Sequence, residues 1–380
     1  MSVLAWLDDP RSDRGMHVPE PGGRSWRFHS YADLALMARR AARRLRAAGV
    51  ASGDVVIIVR AASPEFMADF FGAILLGATP SPIAPPAAFR DRSAYLDHLV
   101  RAVRLVGARI VATTAETASV AGPALAEHGC GVVTDIPETL APLTDPPIVP
   151  AIGVIQFSSG STGPPRAVRI PFAAVQSNVT ALRRALRLTE RDASASWLPM
   201  HHDMGLVGLF LLPIDVGIDM SLLRPEDFIR SPLRWLERFG PGGATMTGTP
   251  TFGLAQVVRR VRREQLAGLD LSRWRGIVVG AERVDIAILD AFLDLLAPCG
   301  LRPDVMMPSY GLAESTLAVT TAPCSTALTT VTVDGASLVA GRPVVTIADR
   351  AAGTTLVGCG TPVSGVAASV VDEDGRPVGE

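Results

Sequence analysis

Six consecutive small residues, Ser158-Ser159-Gly160-Ser161-Thr162-Gly163, followed by Pro164-Pro165-Arg166, form the densest chemistry-capable stretch of this chain. None of them can fill a core. They offer backbone N–H groups with little bulk around them, several hydroxyl donors and one guanidinium. Such donors match the oxygens of a polyphosphate, and glycines let the backbone come close. The run is not a Walker A loop, because no Gly-Lys-Ser/Thr follows its glycines. Taken alone it could equally be a flexible Gly/Ser surface loop. Three other polar clusters accompany it: His201-His202-Asp203, Gly280-Ala281-Glu282 and Ser309-Tyr310-Gly311, with Glu314 just beyond. A carboxylate such as Glu314 can hold a hard cation together with phosphate oxygens. It could also be no more than a helix-start charge.

The elements around these clusters alternate between strand and helix, which predicts an α/β fold with doubly wound, mostly parallel sheets. Ser30 reads as the cap of a helix from Tyr31 to Ala48, closed by Gly49. Strand 55–59, a helix begun by Ser63-Pro64 and the Pro-studded segment 79–86 follow. Helix 93–106, strand 109–113 and helix 115–127 complete a first subdomain, 1–150. Its last stretch, Pro137 to Pro150, holds five prolines and reads as a linker. Alternation resumes in a second subdomain, 151–320, with strands at 152–157, 195–198, 219–222, 244–247, 276–279 and 304–307. Helices are expected at 173–188, 204–216, 232–239, 252–263 and 286–297. Each polar cluster then falls after a strand's carboxyl end, where open α/β sheets bind ligands. Beyond Thr320 the helical period vanishes. Short runs at 329–333, 344–347 and 366–371 and a turn at Asp372–Gly375 suggest the start of a small β subdomain, 321–380.

Bulk properties exclude several functions. The chain has 380 residues, 48% hydrophobic, which supports a globular protein of more than one core. Its formal charge is −1, from 36 basic and 37 acidic residues, so nothing favours nucleic acid or an anionic membrane. Every basic residue is arginine, so no lysine of this chain can act on a substrate. The four cysteines, Cys130, Cys299, Cys324 and Cys359, are far apart and read as reduced thiols in a cytoplasmic protein. The N-terminus lacks a signal-peptide pattern. The longest apolar stretch, Met204 to Leu223, is interrupted by Pro213, Asp215 and Asp219 and is not a membrane span.

Taken together, Ser158–Val168, Trp197–Gly208, Gly280–Val284 and Pro308–Leu317 resemble the adenylate-forming superfamily of acyl-CoA synthetases, adenylation domains and luciferases. The fatty acyl-AMP ligases are the most similar branch, through Trp197-Leu198-Pro199-Met200-His201-His202-Asp203-Met204-Gly205. Gly358-Cys359-Gly360-Thr361-Pro362 resembles the entry to that superfamily's small β subdomain. The resemblance implies ATP and Mg²⁺ as cofactors and a fatty or other carboxylic acid as substrate, activated to an acyl-adenylate with release of pyrophosphate. It implies that Ser158, Ser159, Gly160, Ser161, Thr162 and Gly163 meet the β- and γ-phosphates. Gly280, Ala281, Glu282, Ser309, Tyr310, Gly311 and Leu312 would lie around adenine and the α-phosphate. Glu314 would ligate Mg²⁺, and His202 would sit beside the reacting carboxylate, with His201 a spectator. Arg166 stands where the family usually has lysine; it keeps the charge but is not an equivalent. Tyr310 could instead be a buried core residue, and the small residues at 280–281 could reflect tight packing. Met204, Met246 and Phe252 could line an acyl tunnel or simply belong to the core.

Residues 315–357, 43 in number, separate Glu314 from Gly358. Fatty acyl-AMP ligases resemble this chain in carrying an insertion there, which implies an adenylate product passed to an acyl carrier protein. An acyl-CoA synthetase and a non-catalytic nucleotide-binding protein are the alternatives. The sequence stops at Glu380, before the family's hinge and C-terminal domain, so the chain alone is expected to adenylate slowly.

Overall fold

The computed structural model describes residues 3–20, 25–86, 91–158, 166–339 and 343–378. Two parallel sheets form its frame. The smaller is built from β3 (Val55–Val59), β4 (Thr79–Pro82), β5 (Ala108–Thr113) and β6 (Gly131–Val133), in the order β4-β3-β5-β6. The larger begins with an N-terminal hairpin, β1 (Gly15–Pro19) and β2 (Trp26–Ser30). It continues with β9 (Ala193–Ser196), β10 (Asp219–Leu222), β11 (Met246–Thr249), β12 (Gly276–Val279), β13 (Met306–Gly311), β14 (Ala318–Thr321) and β17 (Thr361–Pro362). Its order is β17-β14-β13-β12-β11-β9-β10-β1-β2, parallel from β13 to β1 and antiparallel at both edges. The hairpin at 15–30 carried no clear alternation in the sequence; its pairing with β10 is decided by tertiary contact.

Helices α1 (Tyr31–Ala47), α2 (Pro64–Leu75), α3 (Arg92–Val106) and α4 (Ala115–Ala126) flank the first sheet. Ser30 caps α1 as its sequence implied, and the structure adds a reciprocal box with Asp33. Around the second sheet lie α5 (Phe172–Ala185), α6 (Leu212–Val216), α7 (Pro225–Arg230), α8 (Leu233–Leu236), α9 (Thr251–Arg260) and α10 (Ile286–Leu296). A large core joins α1, α2 and α5 with the backs of both sheets; a second, centred on Trp235 and Trp274, lies under α9 and α10.

Several expectations change. Strand 152–157 does not enter the second parallel sheet. It forms β7 (Ile152–Ser158), paired antiparallel with β8 (Arg166–Pro171) as a separate hairpin. The neighbouring β4 reads Thr-Pro-Ser-Pro, and prolines cannot donate to a ladder. The Thr79 and Ser81 hydroxyls instead donate to the Ile152 and Ile155 carbonyls, at 3.2 and 3.0 Å. Residues 204–216 are not one α-helix: Met204–Leu211 is a π-helix that runs into α6. The expected strand at 304–307 starts later and runs to Gly311, so Ser309, Tyr310 and Gly311 lie inside β13 and not after it. In the C-terminal part, β15 (Thr330–Val333) pairs with β16 (Thr354–Val357). The runs at 344–347 and 366–371 make single bridges, Val333 to Thr346 and Val371 to Pro377, and not strands. No helix among the described residues is long and apolar enough to cross a membrane.

Candidate active site

A cavity of about 550 Å³ opens at the carboxyl ends of β9, β11, β12 and β13. That volume suits a small ligand. Its inner wall is apolar: Leu182 from α5, Leu186 just after it, Met246 from β11, and Leu212 and Ile218. The π-helix supplies Met204, Gly208 and Leu209. Such helices are rare and recur at functional sites, where the wider turn re-aims side chains. The motif that starts it needs Gly205, because a Cβ there would overlap the Pro199 carbonyl oxygen. The outer wall is more polar and includes His202, Asp203, Gly280, Ala281, Ser309, Tyr310 and Gly311.

Most of the sequence-derived candidates among the described residues meet on this wall. Gly280 faces Ser309, whose carbonyl oxygen would lie 2.7 Å from a Cβ added at 280, so the backbone there stays bare. Ala281 has φ +67°, a left-handed conformation that costs a non-glycine residue about 1–2 kcal/mol. Strain of this kind concentrates at ligand sites. The Ser309 hydroxyl is fixed by Met307 O at 3.0 Å and Thr321 Oγ1 at 2.7 Å. Tyr310 is 55% exposed, which excludes the core reading and leaves its ring free to stack. Gly311 sits at a β-bulge, and a Cβ there would overlap the Leu317 carbonyl oxygen.

His202 lies on the cavity wall, reached by solvent yet surrounded by protein; that desolvation holds its pKa below the usual imidazole value. It is therefore a neutral donor or acceptor near pH 7. His201 is packed against it, ring centroids 4.6 Å apart, and burial pushes its pKa down to about 3. Burial raises the Asp203 carboxyl, and the charge of Glu314 adds to the rise, which places those two carboxylates within electrostatic reach.

Other candidates lie elsewhere. Glu282 accepts a hydrogen bond from Phe252 N at 2.6 Å, serving the first turn of α9, and does not line the cavity. Leu312 also lies off the wall; its N–H donates to Leu317 O at 2.9 Å. Glu314 is exposed, in a 3₁₀ turn (Ala313–Ser315) that packs against β8. Arg166 is exposed at the start of β8, in register with Ser158 at the end of β7. Ser159, Gly160, Ser161, Thr162 and Gly163 lie outside the described residues.

Sequence reasoning missed much of the inner wall. Met204, Met246 and Phe252 were candidates and do line the cavity. Leu182, Ser194, Ile218, Thr247 and Gly248 gave no signal, because apolar and small residues look the same in any core. The Ser194 hydroxyl is 4% exposed as a residue, lines the cavity and has no partner among the described atoms.

No cluster of three or more metal-ligating side chains occurs among the described residues. The exposed Glu314 carboxylate is of the kind that suits Mg²⁺, which takes one or two carboxylates and fills its shell with phosphate oxygens and water. The bare backbone at Gly280 beside the exposed Tyr310 ring likewise fits a flat base.

The AMP-binding enzyme family profile matches residues 13–380. The chain belongs to that family. It is 36% identical over 313 residues to a putative acyl-CoA synthetase of Caulobacter vibrioides, a match that covers 80% of this chain and 54% of the relative. It is 35% identical over 225 residues to the medium-chain-fatty-acid–[acyl-carrier-protein] ligase TtuA of Teredinibacter turnerae, covering 59% of this chain and 35% of that protein. Among solved structures, one from a study of fatty acyl-adenylate ligases of E. coli and L. pneumophila superposes with a TM-score of 0.90 at 30% identity, covering 100% of this chain and 70% of that one. The chain thus spans about half the length, or less, of these two curated relatives.

Proposed function

We propose that this chain is the substrate-binding part of an enzyme that uses ATP to convert a fatty acid to its acyl-adenylate. The observation that carries the reading is the cavity itself: an apolar interior whose mouth is ringed by Gly280, Ser309, Tyr310 and Gly311, with His202 on its wall. The tail of an acid fits the interior, and its carboxylate would then meet the nucleotide at the mouth. One carboxylate oxygen attacks the α-phosphorus, a P–O bond forms, and pyrophosphate leaves with the electrons of the broken bond. Both reactants are anions, so the site has to offset repulsion and hold them in line.

In this reading the neutral His202 donates a hydrogen bond to the carboxylate or the α-phosphate. Ser158, Ser159, Gly160, Ser161, Thr162 and Gly163 hold the β- and γ-phosphates, and Arg166 adds charge. Glu314 helps hold Mg²⁺, which neutralises phosphate charge when bound. Residues 151–320 carry the site, flanked by 1–150 and 321–380. The phosphopantetheine thiol of an acyl carrier protein is the acceptor we favour, in keeping with the name of TtuA and the insertion after Glu314. The Caulobacter relative's name favours CoA as the second candidate. The cytoplasm is the compartment where ATP and either acceptor meet.

The test is calorimetry with non-hydrolysable acyl-adenylate mimics of increasing chain length. Affinity should rise with chain length to a plateau and exceed that of AMP alone. Affinity independent of the acyl group would remove the cavity from the reading. Product analysis with both acceptors then separates carrier protein from CoA.

A further inference from the structure

The turn between Gly311 and Ala318 has an unusual backbone. Thr316 is 5% exposed, β-branched, and held at φ 72°, ψ −56°. Leu317 N donates to Ser315 O at 2.9 Å, so Thr316 is the centre of a three-residue γ-turn of the positive-φ kind, which is rare and strained. A β-branched residue at positive φ is a genuine outlier, and such conformations persist only where the surroundings over-determine them.

Besides the turn's own backbone bonds, one side chain ties its two flanks together. Asn178, on α5 and 7% exposed, donates through Nδ2 to Ser315 O at 3.3 Å and to Ala318 O at 3.0 Å. Its Oδ1 accepts from Ala318 N at 3.2 Å. The amide thus bonds the backbone on both sides of Thr316. The turn has two consequences for the cavity. On one side it carries Glu314, exposed and within electrostatic reach of Asp203. On the other it directs Leu317 into the cavity wall, where its Cδ2 would lie 3.1 Å from a Cβ added at Gly208.

We propose that Asn178 is a positioning residue: its carboxamide holds the strained Thr316 turn so that Glu314 presents its carboxylate to Mg²⁺-bound nucleotide while Leu317 closes the acyl wall. This rests on the adenylation reading and extends it to a residue that touches neither ligand. Because donor and acceptor are both used, aspartate is not a substitute: it cannot donate to Ser315 O or Ala318 O.

The test compares the 380-residue chain with Asn178→Ala, Asn178→Asp, Thr316→Gly and the double variant Asn178→Ala/Thr316→Gly. ATP affinity is measured with Mg²⁺ and with chelator, beside the melting temperature. Both Asn178 variants should weaken Mg²⁺-ATP binding about tenfold, as for partners that orient a metal ligand, with little change in chelator. Glycine at 316 adopts positive φ without strain, so the double variant should regain most of the affinity. A lower melting temperature with unchanged Mg²⁺-dependent affinity would overturn the proposal, as would no recovery in the double variant. A wild-type chain that binds no nucleotide would sink the adenylation reading instead. Amide exchange at Leu317 and Ala318 then decides the turn: faster in Asn178→Ala and restored in the double variant supports the clamp, and no change overturns it.

Discussion

At the inner end of the cavity Leu182, Leu186, Leu212 and Ile218 are each 5% exposed or less, whereas at its mouth Tyr310 is 55% exposed. The inner wall is a by-product of folding. Its side chains belong to the same core that joins the two sheets, and burying each one contributes about 1.5–3 kcal/mol. The mouth has no such support. Its groups are held by single devices: a bare glycine at 280, a left-handed Ala281, and the γ-turn at Thr316. One region is fixed before any ligand arrives, and the other keeps its donors in water until a ligand replaces that water. Substitutions should therefore separate the two.

The largest separation is expected at Gly248. The nearest atoms to a Cβ there would be side-chain atoms, Leu209 Cδ1 at 3.4 Å and Met204 Sδ at 3.6 Å, so a larger side chain enters the cavity against side chains and not backbone. Gly248→Val suits a strand and should weaken long-chain acyl-adenylate binding by about tenfold to a hundredfold. ATP affinity should stay nearly constant. Equal losses for both ligands would mean that wall and mouth are one site.

Glu314→Gln is the converse experiment. It removes the charge and keeps the shape. Mg²⁺-dependent ATP affinity should fall about tenfold, with binding of a free fatty acid unchanged. Unaltered ATP affinity would take Glu314 out of the mouth.

The smallest effect is on pH dependence. His201 is held neutral by burial, with a pKa of about 3 against its usual 6.5. The unfolded chain then binds the proton more readily than the folded one. Its contribution to stability is complete above about pH 6.5 and declines as pH falls towards 3. Carboxyls raised by burial, Asp69, Asp203 and Asp215, act in the opposite sense. The window to measure is the range below about pH 6.5, where the His201 contribution declines. Melting temperature should fall across it, less steeply in His201→Gln; equal slopes would show that His201 gains its proton without strain.

Much of the frame is local and therefore legible. The start of α1, and strands 55–59, 219–222 and 276–279, follow from caps and apolar runs and stand where their residues implied. The polar residues at 202–203, 280–281 and 309–311 do converge on one cavity. What failed was pairing. The run 152–157 has the composition of a buried parallel strand, yet it folds into a hairpin, because the prolines of its neighbour β4 leave hydroxyls to make the bonds. The run 204–211 is apolar on every side, so its periodicity could not show a π-helix. Asn178 carries no local signal, because its partners Ser315 and Ala318 lie 137 and 140 residues away.

The sequence by itself determined many of the elements, the order of the motifs and the family, since caps, apolar runs and motifs are local. Tertiary structure alone decided that α5, β11 and the π-helix enclose a single cavity, and that Asn178 reaches Ala318, 140 residues away, to hold the turn bearing Glu314. Contacts of that span leave no period in the chain. They exist only once folding has offset the entropy of bringing distant segments together.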